Sequence, residues 1–394
     1  MNPLSGIRVV ELARLIPGDV AGQTLADLGA DVIKVEGPPL GDYMRSIPPT
    51  MGEMSVLHAA SNKNKRSIAI DHRSDAGLKL IYRLIQSADV VLEVSDPGSM
   101  AQYKLDYESV RSVNPKIVYC SVTGFGQTGP YAHAPSHGAN IECLAGTMSL
   151  EDTAEGPRLW PLTFTATYHG AYQAALGICA GLVAALRTGK GCYIDSSCWD
   201  AGVTFDGTAA TMALNGKTYV EGLLSPQTPK YAPYYCKDGR AVVVGAIEPQ
   251  FWEKFCKLIG RPDLVHRDSS ELPVDFGGEN ARALHKEIAE ALLSRTAAEW
   301  GDLFASNDVP CSPVFSPGEA AQSAHGLARG IVRNATEQGG MEYRTVARGL
   351  VIDGGRGEDR FAPPRYGQHS DEILAEIGCQ EHEVADLREQ SIVR

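Results

Sequence analysis

Basic side chains lie near the ends of several predicted strands in the first part of the chain. Lysine and arginine at such places can pair with phosphate groups, because their N–H groups donate charge-assisted hydrogen bonds to phosphate oxygens. The alternative is that these residues are ordinary surface charges. They are Lys34, Lys63, Lys65, Arg66 and Arg73. A phosphorylated cofactor requires only a local cluster of this kind.

The elements that would position these side chains follow a regular order. Short apolar runs predict strands at residues 7–12, 32–35, 66–70, 90–94, 117–122 and 192–196. Helical patterns cover 18–28, 75–87, 139–148 and 167–187. Strands that alternate with helices of this length are typical of a parallel sheet with helices on both faces. We therefore predict an α/β protein.

The pattern changes after Asn215-Gly216. Prolines mark a linker, and two apolar runs, 231–236 and 240–245, flank an Asp-Gly pair that suits a tight hairpin turn. Helices are predicted at 249–258, 280–293 and 297–304, and a final one at 371–377. The part of this region that precedes residue 327 has the character of a small α+β domain.

Composition excludes several functions. The chain has 394 residues, 43% of them hydrophobic, which is enough for two globular domains. Its formal charge of -12 argues against nucleic acid as the main partner, since a duplex binder needs a basic face. The nine cysteines include no CxxC pair, so no metal site is predicted. With no signal peptide and no apolar stretch long enough to span a membrane, we predict a cytoplasmic protein without a membrane partner.

Eight segments occur together in an order that resembles one family. They are IRVVELARLIPG, LGADVIKVEGPPLGD, NKRSIAIDHRSDAG, DVVLEVSDPG, YCSVTGFGQTGPY, LRTGKGCYIDSSCWD, CSPVFSPGEA and APPRYGQHSDEIL. Together they resemble the class III CoA-transferases, which include formyl-CoA and carnitine CoA-transferases and the α-methylacyl-CoA racemases. The resemblance implies an interlocked dimer. It also implies a large Rossmann-like CoA-binding domain (1–205), a linker (206–228), a small α+β domain (229–326) and a C-terminal return to the large domain (327–394).

The resemblance also identifies a departure at position 167. In family transferases an aspartate at the head of the long middle helix attacks the acyl-CoA carbonyl and forms a mixed anhydride. Here Thr167 takes that place, and a shift of one residue would put Ala166 there. Threonine is a poor nucleophile without an adjacent base, although His169 could serve as that base. The simpler interpretation is that Thr167 is a helix N-cap.

The racemase branch implies a different set of groups. It needs two bases across the α-carbon, and His137 matches the family histidine, while Glu248 in GAIEPQF matches a nearby glutamate. The second base would again fall on Thr167, so His169 or Glu142 would have to substitute for it.

For the cofactor, the resemblance implies that acyl-CoA binds as a substrate and that no cofactor is held permanently. The residues expected near CoA are Ile16, Pro17, Lys34, Ile70, Arg73, Val94 and Ser95. Asp96 and Gln102 stand in a stretch where relatives carry asparagine, phenylalanine and arginine, and Asp96 would repel a phosphate.

Three interpretations follow. The chain is an active CoA-transferase for an acyl-CoA and a carboxylic acid, or an α-methylacyl-CoA racemase-like enzyme, or a subunit without the aspartate. In the last case its partner would be a paralogous, Asp-containing chain in a heteromer; otherwise a homodimer is expected. Loss of the nucleophile favours the subunit over the racemase, and family membership favours CoA transfer as the activity.

Overall fold

The computed structural model describes residues 1–218, 223–267, 280–337 and 339–394. The chain divides into two compact units. The large unit comprises Met1–Gly207 and Leu327–Arg394, and the small unit comprises Thr208–Gly326. The large unit is therefore assembled from two segments that are far apart in the sequence.

Strands and helices alternate through most of the chain. The strands are β1 Arg8–Leu12, β2 Asp31–Glu36, β3 Thr50–Met51, β4 Met54–Ser55, β5 Lys65–Ala69, β6 Val90–Glu93, β7 Val118–Thr123, β8 Ser149–Thr153, β9 Gly156–Trp160, β10 Cys192–Ser197, β11 Ala232–Tyr235, β12 Ala241–Val244, β13 Cys311–Pro313, β14 Val332–Thr336 and β15 Glu342–Val346. The helices are α1 Leu15–Asp27, α2 Val56–Ser61, α3 Asp75–Gln86, α4 Ser99–Gln102, α5 Tyr107–Val113, α6 Gly138–Ala145, α7 Thr165–Thr188, α8 Cys198–Phe205, α9 Gly207–Leu214, α10 Pro249–Leu258, α11 Ala281–Leu292, α12 Ala297–Ala305, α13 Pro317–Gln322, α14 Ala324–Ala328, α15 Ser370–Glu376 and α16 Glu381–Glu389.

The large unit is built on a six-stranded sheet with the order β10-β7-β6-β1-β2-β5. All its neighbouring strands run parallel. This confirms the predicted α/β class, and the predicted strands of this sheet are all present, with one or both ends shifted by a single residue. Successive side chains point to opposite faces of a strand. Val9 and Val10 accordingly lie in two different apolar clusters, one on each face of the sheet.

Helices cover both faces. On one face α1 and α7 pack through small and branched residues, among them Ala21, Leu25, Ala174 and Ile178. On the other face α3, α15 and α16 pack through apolar residues, among them Leu80, Leu84, Ile373 and Leu387. Covering both faces explains why the strands read as continuous apolar runs rather than as alternating ones.

The C-terminal segment completes the large unit at β5. Arg66 donates from its guanidinium to Asp31 in β2 and to Glu372 and Glu376 in α15. The backbone N–H of Ser67 donates to His369 Nδ1 at 3.1 Å. These contacts bind the last part of the chain to the edge strand of the sheet.

The small unit has its own core. A three-stranded sheet, β11-β12-β13, packs with α10, α11 and α12. Its largest buried side chains are aromatic: Trp252, Phe255, Trp300 and Phe304. The predicted hairpin and three helices of this unit are all present.

A buried ionic network lies beneath the start of α1. Lys34 Nζ donates to Asp19, to Glu11 at 3.2 Å and to Asp42 at 3.0 Å. Lys65 Nζ donates to Glu11 Oε1 at 2.9 Å. Both lysines are fully buried. Burial alone would lower the pKa of Lys34, but Asp19, Glu11 and Asp42 together raise it, so the lysine stays charged and neutralises carboxylates that would otherwise be uncompensated.

His58 extends this network and makes it sensitive to acid. Asn62 donates to Asp19 Oδ2 at 2.7 Å and lies 3.1 Å from His58 Nδ1. Burial, with the positive charges of Arg45 and Lys34, lowers the pKa of His58 to about 3. In the unfolded chain the imidazole has its ordinary pKa of 6.5. Between these values the unfolded state binds a proton that the folded state does not, so stability falls as the pH falls.

We therefore expect the wild type to lose about 2 kcal/mol more stability than the His58→Gln variant when the pH is lowered from 7 to 5. Urea unfolding of both proteins at the two pH values measures this difference. His133→Gln, at an exposed histidine, is the control and should lose as much as the wild type. An equal acid loss in His58→Gln and wild type would show that His58 does not carry the effect.

Candidate active site

The starts of two helices meet in the large unit. His137 is the N-cap residue of α6, and α7 begins at Thr165. A methyl group placed on Gly138 would lie 2.7 Å from the Phe164 ring and 3.6 Å from the Thr167 hydroxyl oxygen. The absence of a side chain at 138 therefore allows the head of α6 to approach the head of α7. The structure thus places Gly138, which follows His137, next to Thr167, and the sharing of one site by His137 and Thr167 stays a prediction.

Glu142, which lies in the neighbouring helix α6, caps the N-terminus of α7. The N-cap residue of α7, Phe164, provides no side-chain hydrogen bond. The Glu142 carboxylate accepts the backbone N–H of Ala166 at 2.9 Å and that of Thr167 at 3.0 Å. The first N–H groups of a helix have no partner within the helix, and the positive end of its dipole favours an anion. These two effects explain how a fully buried carboxylate is accommodated here.

Thr167 is bound to the same carboxylate. Its hydroxyl lies 3.0 Å from Glu142 Oε1 and donates to it, while the Thr147 hydroxyl donates to Glu142 Oε2. The expectation that Thr167 is an N-cap is wrong, since it is the third residue of α7 and Glu142 supplies the capping oxygens. Thr167 is 4% exposed and Glu142 is 0% exposed.

His169 makes different contacts from Thr167. It lies 3.2 Å from Gln173 Nε2, and its ring packs edge-on against Phe205 at 5.3 Å between centroids. Two residues along an α-helix correspond to a rotation of about 200°, so the two side chains leave α7 in different directions. The proposed role of His169 as the base for Thr167 is therefore corrected, because the group that accepts the hydroxyl proton is Glu142.

His137 and Glu248 lie in different units. The His137 side chain is exposed, and its backbone N–H donates to Asn140 at 3.3 Å. Glu248 is half-buried and precedes α10 in the small unit. Their joint participation in one site stays a prediction.

Of the residues expected near CoA, Lys34 and Ile70 do not have available side chains. Lys34 is enclosed in the ionic network and donates to three carboxylates, so its proposed phosphate contact is corrected. Ile70 is fully buried in the apolar cluster beneath β5, and its N–H donates to the Glu36 carbonyl at 3.0 Å. The same correction applies to Lys63, Lys65 and Arg66, which are buried and paired with carboxylates.

Arg73 is in a different position from these lysines. It is exposed, as is Arg14, which follows β1. Burial and the positive charge of Arg73 lower the pKa of His72, and Arg14 adds to this effect, whereas the carboxylate of Asp71 opposes it. A methyl group on Gly37, which follows β2, would lie 3.7 Å from the His72 ring. Arg14 and Arg73 thus expose positive charge just beyond the carboxyl ends of β1 and β5, at the edge where open parallel sheets bind ligands.

The remaining predicted residues flank the start of α1. Ile16 and Pro17 occupy its first turn, and a methyl group on Gly18 would lie 2.7 Å from Val94 Cγ1. Ser95 donates its backbone N–H to Glu93 at 2.6 Å. These residues therefore lie at the ends of the adjacent strands β1 and β6.

An acidic cavity of about 230 Å³ opens beyond β6. Its carboxylates are Glu93, Asp96, Asp106 and Glu108, and tyrosines complete the wall. Burial raises the pKa of Glu93. That Asp96 makes this region unfavourable for a phosphate stays a prediction.

An apolar cavity of about 660 Å³ lies between α1, α2 and α7. On α7 it is lined by Tyr168, Tyr172 and Leu176, which are all exposed in part. By length and composition α7 could also cross a membrane, but core helices of soluble proteins pass the same criterion. Here α7 packs against β7, β10, α1 and α8.

The geometry predicts that the effects of substitutions at positions 142 and 167 on stability are coupled. In Thr167→Asp, a second carboxylate would lie about 3 Å from Glu142, and two such groups cannot both be ionised without a large penalty. We expect this variant to lose about 3 kcal/mol of stability at pH 7.5 and to recover part of it at pH 5.5, where one carboxylate takes a proton. Urea unfolding measures both values.

The double variant Glu142→Gln/Thr167→Asp is the matched control, because it restores a single carboxylate. We expect it to be more stable than Thr167→Asp alone. If Thr167→Asp were as stable as the wild type, the two positions would not be coupled.

Comparison with known proteins is consistent with this architecture. The chain is 32% identical over 390 residues to succinate–glutarate CoA-transferase of Agrobacterium fabrum, covering 95% of this chain and 96% of that protein. It is 31% identical to α-methylacyl-CoA racemase of Mus musculus, covering 99% and 97%. Among solved structures, a CAIB/BAIF family protein from Brucella suis matches with a TM-score of 0.79 and 31% identity, covering 95% of this chain and 99% of that one. Residues 4–370 match the model of CoA-transferase family III, and the chain therefore belongs to that family.

Proposed function

We propose that this protein takes part in the transfer of CoA between carboxylic acids, as the subunit that lacks the nucleophilic carboxylate. In this proposal a paralogous chain with an aspartate at the equivalent place completes the enzyme. Relatives named as CoA-transferases that align with nearly the whole chain support the reaction class. The arrangement at the start of α7 supports the proposal that a second chain, and not this one, supplies the nucleophile.

The observation that supports this proposal most directly is that Glu142 is buried and that both of its carboxylate oxygens accept hydrogen bonds. An attacking carboxylate must bring an oxygen into contact with the thioester carbonyl carbon. Glu142 is fully enclosed, and its two oxygens accept hydrogen bonds from Ala166, Thr147 and Thr167. Thr167 would form an ester rather than an anhydride, and an ester is too stable to pass the acyl group on. Neither residue therefore suits the nucleophilic role.

A second chain is supported by the exposed face of α7. Five of its apolar side chains are at least two-fifths exposed: Tyr168, Tyr172, Leu176, Val183 and Leu186. Contiguous apolar surface of this kind marks a protein interface in many soluble proteins. A dimer that covers α7 would bury this surface and place a second subunit close to the helix that carries Thr167.

For the nucleotide end of CoA, we propose that Arg73, together with Arg14 and His72, receives phosphate. These groups lie at the carboxyl ends of the strands, and within the described residues none of them forms a salt bridge with a carboxylate. Ile16, Pro17, Val94 and Ser95 would then line the approach from the start of α1 to β6. Lys34 would contribute only through the stability of the fold beneath them.

A second candidate function is α-proton transfer on an acyl-CoA. It is favoured by one specific observation: the α6 head, with the exposed His137, lies against Thr167, whose hydroxyl is bound to a carboxylate. Proton transfer needs bases near the α-carbon but no accessible nucleophile. Relatives named as α-methylacyl-CoA racemases cover the same length of chain as the transferases.

The primary proposal predicts the outcome of trapping with hydroxylamine. With succinyl-CoA as donor and glutarate as acceptor, we expect the purified chain alone to form no hydroxylamine-sensitive intermediate and to transfer no CoA. Co-expression with an Asp-containing paralogue should yield a copurifying complex that does both. Chromatographic measurement of CoA esters and mass spectrometry of the trapped protein provide the readouts.

The double variant Glu142→Gln/Thr167→Asp is the internal control, because it should gain the intermediate without the paralogue. Full transfer activity of the wild-type chain as a homodimer would contradict the subunit role.

Two substitutions by methionine distinguish a residue that binds phosphate from one that stabilises the fold. Arg73→Met should weaken CoA binding by about tenfold, since one exposed charge–phosphate contact is lost, and should leave urea unfolding unchanged. Lys34→Met should instead cost about 3–5 kcal/mol of stability, because it leaves buried carboxylates unpaired. Isothermal titration with CoA and urea unfolding distinguish the two. Unchanged CoA affinity in Arg73→Met would remove Arg73 from the proposed site.

A further inference from the structure

Arg348 is a buried cation that pairs with no carboxylate of the described residues. It is 8% exposed, and its Nη atoms donate to backbone carbonyls, to that of Asp27 at 2.8 Å and to that of Gly355 at 3.2 Å. Its Nε–H has no hydrogen-bond acceptor in the part of the chain that the structure describes. A buried charge without a counter-ion is unfavourable, because carbonyl groups replace only part of the hydration that it has lost.

The same arginine lines the apolar cavity of about 660 Å³ between α1, α2 and α7. Residues 346–350, at the end of β15 and just after it, form part of the wall. Most of the other lining side chains are apolar or aromatic, among them Val20, Leu57 and Tyr172. Small-molecule sites in proteins measure about 300–1,000 Å³ and combine apolar walls with a few polar groups that orient the ligand. This cavity has both properties.

Asp27 is the other charged residue among the described residues that line the cavity, and its charge is compensated. One oxygen accepts Asn64 Nδ2 at 2.7 Å, and the other lies 3.8 Å from Lys63 Nζ. Lys63 also pairs with Asp359, but that carboxylate is 31% exposed and keeps part of its hydration. The positive charge of Arg348 has no such partner, so the ligand that complements the cavity is an anion.

The backbone holds the Arg348 guanidinium in place. Asp27 is the last residue of α1, so its carbonyl belongs to the negative end of that helix. Gly357 lies against the guanidinium, since a methyl group there would come within 3.2 Å of Arg348 Cζ. A side chain that is fixed before a ligand arrives loses little conformational entropy on binding.

We propose that this cavity binds a carboxylic acid with a long apolar chain. The carboxylate accepts the Nε–H of Arg348, and the chain packs against Tyr172 and Leu176 on α7. This site is separate from the buried pair Glu142 and Thr167, neither of which lines the cavity, and it does not depend on the proposed function. A second subunit over the exposed face of α7 covers the mouth of the cavity, with the ligand beneath it.

Isothermal titration with decanoate and with decanol tests the proposal on the wild-type chain. The two molecules have the same apolar chain, and only decanoate carries a charge. We expect decanoate to bind at least about tenfold more tightly, because a hydrogen bond to a charged group contributes at least about this factor. Equal affinities, or no binding of decanoate, would overturn the proposal whether or not any variant folds.

Arg348→Met removes the charge and should reduce the preference for decanoate over decanol to about onefold. Arg360→Met is the matched control. Arg360 donates to the carbonyls of Ala26, Gly29 and Ala30 at the same end of α1, but it does not line the cavity. This variant should keep the preference. An equal loss of preference in both variants would contradict the proposal, because Arg348 would then act only by supporting α1.

A larger side chain inside the cavity tests the location of the site. Cys179 lines the cavity from α7, so Cys179→Phe should weaken the binding of both decanoate and decanol by about tenfold or more. Cys143→Phe, at an exposed cysteine of α6, is the control and should bind both as the wild type does. Unchanged affinities in Cys179→Phe would place the binding site elsewhere in the protein and rule out the cavity.

Two measurements distinguish a free acid from other occupants. Light scattering should give the same mass with and without decanoate, and the chain should not float with phosphatidylglycerol vesicles. Dissociation of an oligomer by decanoate would mean that a second subunit fills the cavity. Flotation of the wild type but not of Arg348→Met would mean that the cavity takes a lipid from a bilayer. Either result would overturn the assignment to a free carboxylic acid.

Discussion

The carboxylate of Glu142 accepts hydrogen bonds from the backbone N–H groups at the start of α7, and the arrangement of the candidate site depends on these bonds. A long helix without a capping side chain of its own leaves N–H groups at its start that need an acceptor. Glu142 supplies that acceptor from α6 and so joins the two helix starts that carry His137 and Thr167. The negative charge at this place is therefore set by residue 142, and the identity of residue 167 can only be understood together with it.

The positive charges of the large unit fall into two groups, one buried and paired with carboxylates and the other exposed. The lysines and the arginine of β2 and β5 point into the protein and neutralise carboxylates of their own unit, so they form part of the fold. Arg14 and Arg73 lie just beyond the strand ends and stay exposed. A strongly acidic protein can in this way keep a small basic area for a phosphorylated ligand while most of its surface repels polyanions.

Much of this could be predicted from the sequence, for physical reasons. Apolar runs such as Val9–Val10 mark buried parallel strands, because both faces are covered. The hairpin β8–β9 was missed since its residues are mostly exposed and polar, and α16 was missed because its side chains, Leu387 apart, are exposed or half-buried. The side on which Lys34 lies could not be predicted, since its partners Glu11, Asp19 and Asp42 come from three separate elements. A glutamate within the apolar run of α6 was the available sign of a buried carboxylate, but its partner became visible only in three dimensions.

The division of the large unit into two sequence segments has a consequence for synthesis. The edge strand β5 donates hydrogen bonds from Arg66 and Ser67 to Glu372, Glu376 and His369, which leave the ribosome about three hundred residues after it. Residues 208–326 can form their own core while the last segment is still being translated. Until residues 327–394 have been translated, the large unit has an uncovered edge strand and an incompletely covered apolar sheet face. During that interval the nascent chain exposes apolar surface and an unpaired strand edge, so chaperone dependence should be set by this first segment rather than by the small unit.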